Sequence, residues 1–297
     1  MHIVRYADRH NELHIGLMEG GSVRRFPGVR RIADLLRLST AELRAMEPAA
    51  EPAGAVRLLP PVDGHTEIWA AGVTYERSKQ ARMEESSEQS VYDRVYLAER
   101  PELFFKAQPW RVVTDGEAIG VRADSPLNVP EPELAVFANS AGEIVGYGVC
   151  NDVSSRSIEG ENPLYLPQAK VYAGSCALAP GIRPAWEVDP AGLEISLEVF
   201  RADESCFEGK VHTSALHRGC EVLVEHLFRG QPFPHGAVLA TGTGIVPEMD
   251  FNLRRGDVVR IGISEVGSLT NQVTDVRTEL DWLAGTLDTP HARQSVV

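Results

Sequence analysis

"NVPEPELAVFANSAGEIVGYGVCND", Asn128–Asp152, is the stretch on which the reading of this chain turns. Its first part has the composition of a buried strand, and "EIVGYGVCND" resumes strand-like spacing after the turn "NSAGE". Yet the first part carries carboxylates at Glu131 and Glu133. Strand side chains two apart share a face, about 7 Å from one another along the chain. Like charges so placed repel, and burying either without compensation is unfavourable. The opposite face, Leu134 and Val136, is apolar. A hairpin closed by "NSAGE" would set Asp152 beside both glutamates, and three carboxylates at one place call for a cation. Oxygen ligands without Cys or His select Mg²⁺, Mn²⁺ or Ca²⁺ rather than zinc. Spacing alone leaves a second reading open, in which both glutamates lie on a solvent-facing strand.

Outward from this stretch, short strand-like runs dominate beyond Pro101: "ELFFKA", "LEISLEVF", "AVLATGTG" and "DVVRIGIS", punctuated by Gly, Pro and Asn or Asp. They predict a mainly antiparallel β core, sandwich- or barrel-like. "SALHRGCEVLVEHLFRG" is the clearest helix, with Cys220, Leu223, Val224, Leu227 and Phe228 on one face and Gly230 and Pro232 to end it. Before residue 46, "HIVRYA" and "ELHIGLME" read as paired strands, and Ser39 with Glu42 has capping-box spacing. "EPAAEPAGA" (47–55) reads as a linker. The predicted class is α+β, mainly β. A small N-terminal domain and linker occupy 1–65, and a larger domain occupies 66–297. Residues 75–101 are highly charged, with patches of helical spacing. From composition they suit a solvated surface helix, and their length also suits a lid.

The 297 residues carry a net charge of −13, which argues against a nucleic-acid partner. No apolar run approaches the length of a membrane span, and the polar N-terminus lacks the pattern of a secretory signal. The four cysteines, Cys150, Cys176, Cys206 and Cys220, show no CxxC spacing. Free thiols in a reducing cytoplasm are expected.

Other residues suited to chemistry are less distinctive. Lys170 in "LPQAKVYAG" could serve as a general base if a nearby positive charge lowered its pKa, although a surface lysine fits the spacing as well. "ATGTG" (240–244) offers hydroxyls and backbone N–H groups able to bind a carboxylate, without the context of a dinucleotide loop. His212 and His217 are five apart rather than the four of a helical metal pair, and no Gly-x-Ser-x-Gly elbow is present.

In order, "EPELAVF", "GYGVCNDVSSR", "AKVYAGSCALAPGI", "ATGTG" and "LRRGDVVRIGISEVGSLTNQV" resemble the fumarylacetoacetate hydrolase family over about residues 66–283. The resemblance implies a fumarylacetoacetase-like mixed β-roll with a small N-terminal α/β domain, assembled as a homodimer or higher homo-oligomer. It implies Glu131, Glu133 and Asp152 as ligands of Mg²⁺ (or Mn²⁺ or Ca²⁺), with Lys170 as the active-site lysine. Arg156 and Thr243 match substrate-binding positions, and Tyr75, Ser78 and Gln168 join them as substrate-binding candidates. The departures carry information. In "GVTYERSKQAR", Ser78 stands where the family's hydrolases commonly carry a water-activating His, and Ala81 stands where they carry a Glu. The usual Ala-Arg-Asp reads Ser155-Arg156-Ser157.

With "SSRSIEGENPLYLPQAKVY", these departures resemble the branch that dehydrates 2-keto-3-deoxy sugar acids of the D-arabinonate and D-xylonate type. The expected activity is a Mg²⁺-dependent hydro-lyase giving a 2-oxo semialdehyde from a small 2-oxo acid. Lys170 or a neighbouring carboxylate would take a C3 proton. Glu84, Glu85 and Glu161 are candidates for the acid, and Glu161 is taken as catalytic. The alternative is a hydrolase cleaving a carbon–carbon bond in an acylpyruvate or diketo sugar acid. A non-catalytic metabolite binder is a third reading, against which the complete Glu131, Glu133, Asp152 and Lys170 set speaks.

Overall fold

A computed structural model describes residues 1–85 and 89–296, apart from the side chains of Arg82, Glu84, Glu85, Gln89, Ser90 and Thr278. The predicted hairpin forms, with strand Pro132–Ala138 antiparallel to Ile144–Asp152. Asn139 closes the turn, its side-chain oxygen accepting from the N–H groups of Ala141 (3.0 Å) and Glu143 (2.9 Å). Gly142 takes φ +82°, a left-handed conformation that suits glycine.

Among the described residues this hairpin is the centre of an eleven-stranded sheet. On one side follow Gly181–Pro184, His2–Ala7, Leu13–Glu19 and Ser22–Arg25, and on the other Ala237–Ala240, Glu67–Gly72 and Glu102–Ala107. Cys176–Leu178 and Arg57–Leu59 add to it off this path. Ala237–Ala240 runs parallel to Glu67–Gly72 and antiparallel to Pro132–Ala138, so the sheet is mixed. A five-stranded sheet contains Glu204–His212, Glu194–Arg201, Val258–Ile263, Gly267–Asp275 and Ala118–Val121. The mainly β, α+β reading holds.

The strand Pro132–Ala138 is buried along its whole length because it separates two cores. Leu134 and Val136 join Ile195, Leu197 and Val259 of the smaller sheet, and Leu223, Val224 and Leu227 of helix Cys220–Phe228. Ala135 and Phe137 face the other way, toward Ile68, Ala70 and Val238, and toward Ile32, Leu35 and Leu36 from the N-terminal region. Alternation therefore assigns successive residues to different cores, and a slip by one residue would exchange both sets.

At the N-terminus the two predicted strands pair across their turn, and Ser39 and Glu42 form the capping box at the start of helix Thr40–Arg44. Strand His2–Ala7 also pairs with Gly181–Pro184, so a continuous sheet crosses the boundary drawn at residue 65. The charged segment after Tyr75 forms helices Glu76–Glu85 and Gln89–Leu97.

Phe137, fully buried, should be among the most sensitive core positions. Replacing it by Ala is expected to lower stability by about 3–5 kcal/mol, read from denaturant midpoints at unchanged slope. A loss below about 1 kcal/mol would contradict the packing described.

Candidate active site

Glu131 and Glu133 continue the face of Ala135 and Phe137, at the end where that face changes from apolar to acidic. The hairpin brings Asp152 alongside, its N–H donating to the Glu131 carbonyl at 2.9 Å. One carboxylate oxygen from each of Glu131, Glu133 and Asp152 lies within 4.8 Å of the others. All three side chains are buried, at 9%, 1% and 1% exposure, which excludes the solvent-facing alternative.

Lys170, at the end of helix Leu166–Lys170, is buried as well. Its Nζ donates to Glu131 Oε2 (2.8 Å) and Ser154 Oγ (2.6 Å), and lies 3.4 Å from Asp152 Oδ2. Lys106, on strand Glu102–Ala107, meets the other oxygen of Asp152. Its Nζ also donates to the carbonyls of Val153 (3.2 Å) and Lys170 (2.5 Å).

The third carboxylate is held by backbone. The Gly242 N–H, in "ATGTG", donates to Glu133 Oε2 at 2.7 Å. The carboxylate this loop binds is thus one of the protein's own. Gly242 sits at φ +89°, and a Cβ there would lie 2.0 Å from Thr74 Oγ1, which itself donates to the Thr241 carbonyl. Only glycine fits. Val73, on the facing loop, takes φ +53°, a strained conformation for a β-branched residue, and it lines the cavity.

The cavity opens on Glu131, Asp152 and Lys170. Its wall also includes Ser78, Arg156 and Thr243, whereas Tyr75 is buried and is not part of that wall. Ser78 turns inward on its own helix start, accepting from the Tyr75 N–H and donating to the Tyr75 carbonyl. Arg156 donates to the Pro247 carbonyl at 2.6 Å, and Thr243 binds both the N–H and the carbonyl of Ile245. Ser155 and Ser157 each bond Ser125, so the departure from Ala-Arg-Asp has a local structural use. Helices Glu76–Glu85 and Gln89–Leu97 roof the cavity through Ser78, Ala81 and Tyr92. Arg218 holds the end of this roof, donating to the Val95, Tyr96 and Ala98 carbonyls.

Two expected residues stand elsewhere. Glu161 and Gln168 are exposed and are not part of the cavity wall. Glu84 and Glu85 lie outside the described side chains. In place of Glu161 the wall holds Glu159, buried, and Glu102, half-buried. Sequence reasoning missed both, and Lys106 with them. The available signal was "ELFFKA", where Glu102, Phe104 and Lys106 share a strand face just as Glu131 and Glu133 do.

The donor set suits a hard divalent cation. It is all oxygen, and a single ion with metal–oxygen distances of about 2.0–2.6 Å can span its separations. Burial pushes the Glu133 carboxyl well above the usual range, and the charges of Asp152 and Glu131 add to the shift, against Lys170 and the Gly242 N–H. Full ionisation of the trio is therefore unfavourable without a cation, which would offset the cost.

Comparison with known proteins places this geometry. The family described as Fumarylacetoacetate (FAA) hydrolase C-terminal matches residues 67–274. A Haloferax volcanii protein named "Probable 2-keto-3-deoxyxylonate dehydratase" is 49% identical over 260 residues, covering 86% of this chain and 89% of the relative. The Saccharolobus solfataricus "2-dehydro-3-deoxy-D-arabinonate dehydratase" is 45% identical over 223 residues, covering 73% and 74%. A solved structure described as "2-keto-3-deoxy-D-arabinonate dehydratase complexed with magnesium and 2,5-dioxopentanoate" superposes with TM-score 0.81 at 36% identity, over 94% of this chain and all of that one.

The raised Glu133 pKa has a definite sign. The folded, metal-free protein keeps a proton that the unfolded chain releases, so this contribution to stability is present at acid pH and lost as pH rises through the raised value. A bound cation takes the place of that proton. The rise in Tm on adding Mg²⁺ should therefore grow with pH above the usual glutamate range, in a thermal-shift series across pH. A rise independent of pH would contradict this account.

Proposed function

This chain belongs to the fumarylacetoacetate hydrolase family, and from that premise we propose that it is a divalent-cation-dependent hydro-lyase acting on a 2-keto-3-deoxy sugar acid such as a 2-keto-3-deoxypentonate. One observation carries the choice of dehydration over hydrolysis. Glu131 and Asp152 of the buried trio, with Lys170, border an enclosed cavity in which, among the described residues, no histidine stands to activate water. Ser78, at the position in question, is committed to the Tyr75 backbone.

Glu131, Glu133 and Asp152 would hold the cation, Mg²⁺ by preference. When bound, it would polarise the 2-oxo group and acidify the C3 protons. The chain's own residues do the rest. Lys170 contacts both Glu131 and Asp152, so it can pass a proton to either carboxylate and receive one from C3. As that C–H bond breaks, the electron pair forms the C3–C4 double bond and expels the C4 hydroxyl, which leaves as water once protonated. Glu102 takes the acid role, because it lines the cavity while keeping a half-exposed path for reprotonation. Arg156, Thr243 and buried Glu159 orient the carboxylate and hydroxyl ends of the substrate. Proton transfer from C5 to C3 then gives the C5 enol, and passage of its O–H proton to C4 completes a 2-oxo semialdehyde. For a five-carbon substrate this is 2,5-dioxopentanoate, the compound bound in the solved relative. The roof helices exclude bulk water during these transfers. Assembly as a homodimer or higher homo-oligomer belongs to the same reading, and light scattering of the purified protein reads it.

With a 2-keto-3-deoxypentonate as substrate, chelation should abolish turnover and Mg²⁺ should restore it. Glu131→Ala and Asp152→Ala should remain inactive under both conditions, and full activity in either would remove the site assignment.

Substitution of Lys170 by Met should lower kcat by about 10²–10⁴-fold with a much smaller effect on metal affinity. Glu102→Gln should also lower kcat, whereas Glu161→Gln should leave it within about twofold, as expected of an exposed side chain. The reverse ranking of the two glutamates would overturn the acid assignment.

A further inference from the structure

Lys106 has no exposed surface and is not part of the cavity wall, so it cannot touch a substrate as a catalytic residue would. It lies one strand step deeper than Phe104, on the face whose outer members, Glu102 and Phe104, do line the cavity. An ammonium group has three N–H donors. Here the backbone carbonyls of Val153 and Lys170 accept from it, and one oxygen of Asp152 forms an ion pair with it. The flat ring of Tyr172 lies 6.0 Å away on one side.

These three partners come from the two segments that meet at the site. Asp152 ends the strand Ile144–Asp152 and Val153 follows it, and Lys170 ends the helix Leu166–Lys170. Asp152 is thereby bracketed by two lysines, with Lys106 on one oxygen and Lys170 on the other. We propose that Lys106 is a positioning residue for the metal centre: it pins one oxygen of Asp152 so that the other faces the trio, and it fixes the backbone that carries Lys170. The proposal rests on the cation reading of Glu131, Glu133 and Asp152 given above. Its chemistry is that of an outer-shell partner that orients a metal-ligating carboxylate. Its buried positive charge, with that of Lys170, also offsets part of the trio's negative charge, which lets the carboxylates pack before a cation arrives.

The test uses Mn²⁺ alone as the probe. Metal-free protein is titrated with Mn²⁺, and free ion is counted from its electron paramagnetic resonance signal, which needs no activity. Lys106→Met, folded by near-UV circular dichroism, should bind Mn²⁺ about 10–100-fold more weakly than the wild type. In Mg²⁺ at saturation its kcat should fall while KM changes little, because the side chain makes no substrate contact. Mn²⁺ binding within about threefold of wild type in the folded variant would overturn the inference and leave the cation reading intact. Failure of the wild type itself to bind Mn²⁺ would overturn both. Should Lys106→Met be recovered unfolded, the double variant Lys106→Met/Asp152→Asn decides. Recovered folding supports the charge pairing with Asp152, and a chain still unfolded overturns it.

Discussion

Three carboxylates are buried together at one end of the central strand, and much of the structure answers that electrostatic problem. In a low-dielectric interior, ionised groups so close repel strongly unless opposite charge or directed dipoles meet them. Asp152 is met by Lys106 and Lys170, Glu131 by Lys170, and Glu133 by the Gly242 N–H. Each partner sits on a different element, so the site joins the hairpin, strand Glu102–Ala107, helix Leu166–Lys170 and the loop after Ala240. Three carboxylates face two lysines, and burial, with the charges of Asp152 and Glu131, pushes the Glu133 carboxyl well above its usual range. On the reading proposed above, a divalent cation held by the trio would complete the balance and activate a chelating 2-oxo acid.

The same arrangement explains how a hydrolase scaffold can favour elimination. Hydrolysis needs a water molecule activated near the scissile carbon. Elimination needs a base for a carbon-bound proton and an acid for a departing hydroxyl. The cavity has a buried lysine in contact with two carboxylates and a half-exposed glutamate in its wall, and Ser78 spends its hydroxyl on the turn that begins the roof helix. On the proposed reading, the cavity offers several groups for proton transfer and, among the described residues, no histidine for water activation.

Much of this was readable from sequence where local rules suffice. The Asn128–Asp152 hairpin, the N-terminal strand pair, the Ser39 capping box and the apolar face of helix Cys220–Phe228 all follow from short-range spacing and turn chemistry. The acidic pair raised the question of a metal, and resemblance supplied the family. What sequence reading missed depended on phase and on distance. In the short helix Arg156–Glu161, Arg156 and Glu159 are three residues apart and face the cavity together, whereas Glu161 is five from Arg156 and turns to solvent. Gln168 points outward for the same reason of phase. Lys106 lies 46 positions before its partner Asp152. Only the fold brings them together, although the pattern of "ELFFKA" hinted that its charged residues shared a face.

The central claim is most directly tested by the products of one reaction. Purified protein with Mg²⁺ is incubated with a 2-keto-3-deoxypentonate, and separately with an acylpyruvate, and the products are read by mass spectrometry. The account predicts a single product from the sugar acid, lighter than substrate by one water and carrying an aldehyde, with the acylpyruvate left unchanged. Two shorter acids from the acylpyruvate, with the sugar acid untouched, would contradict it.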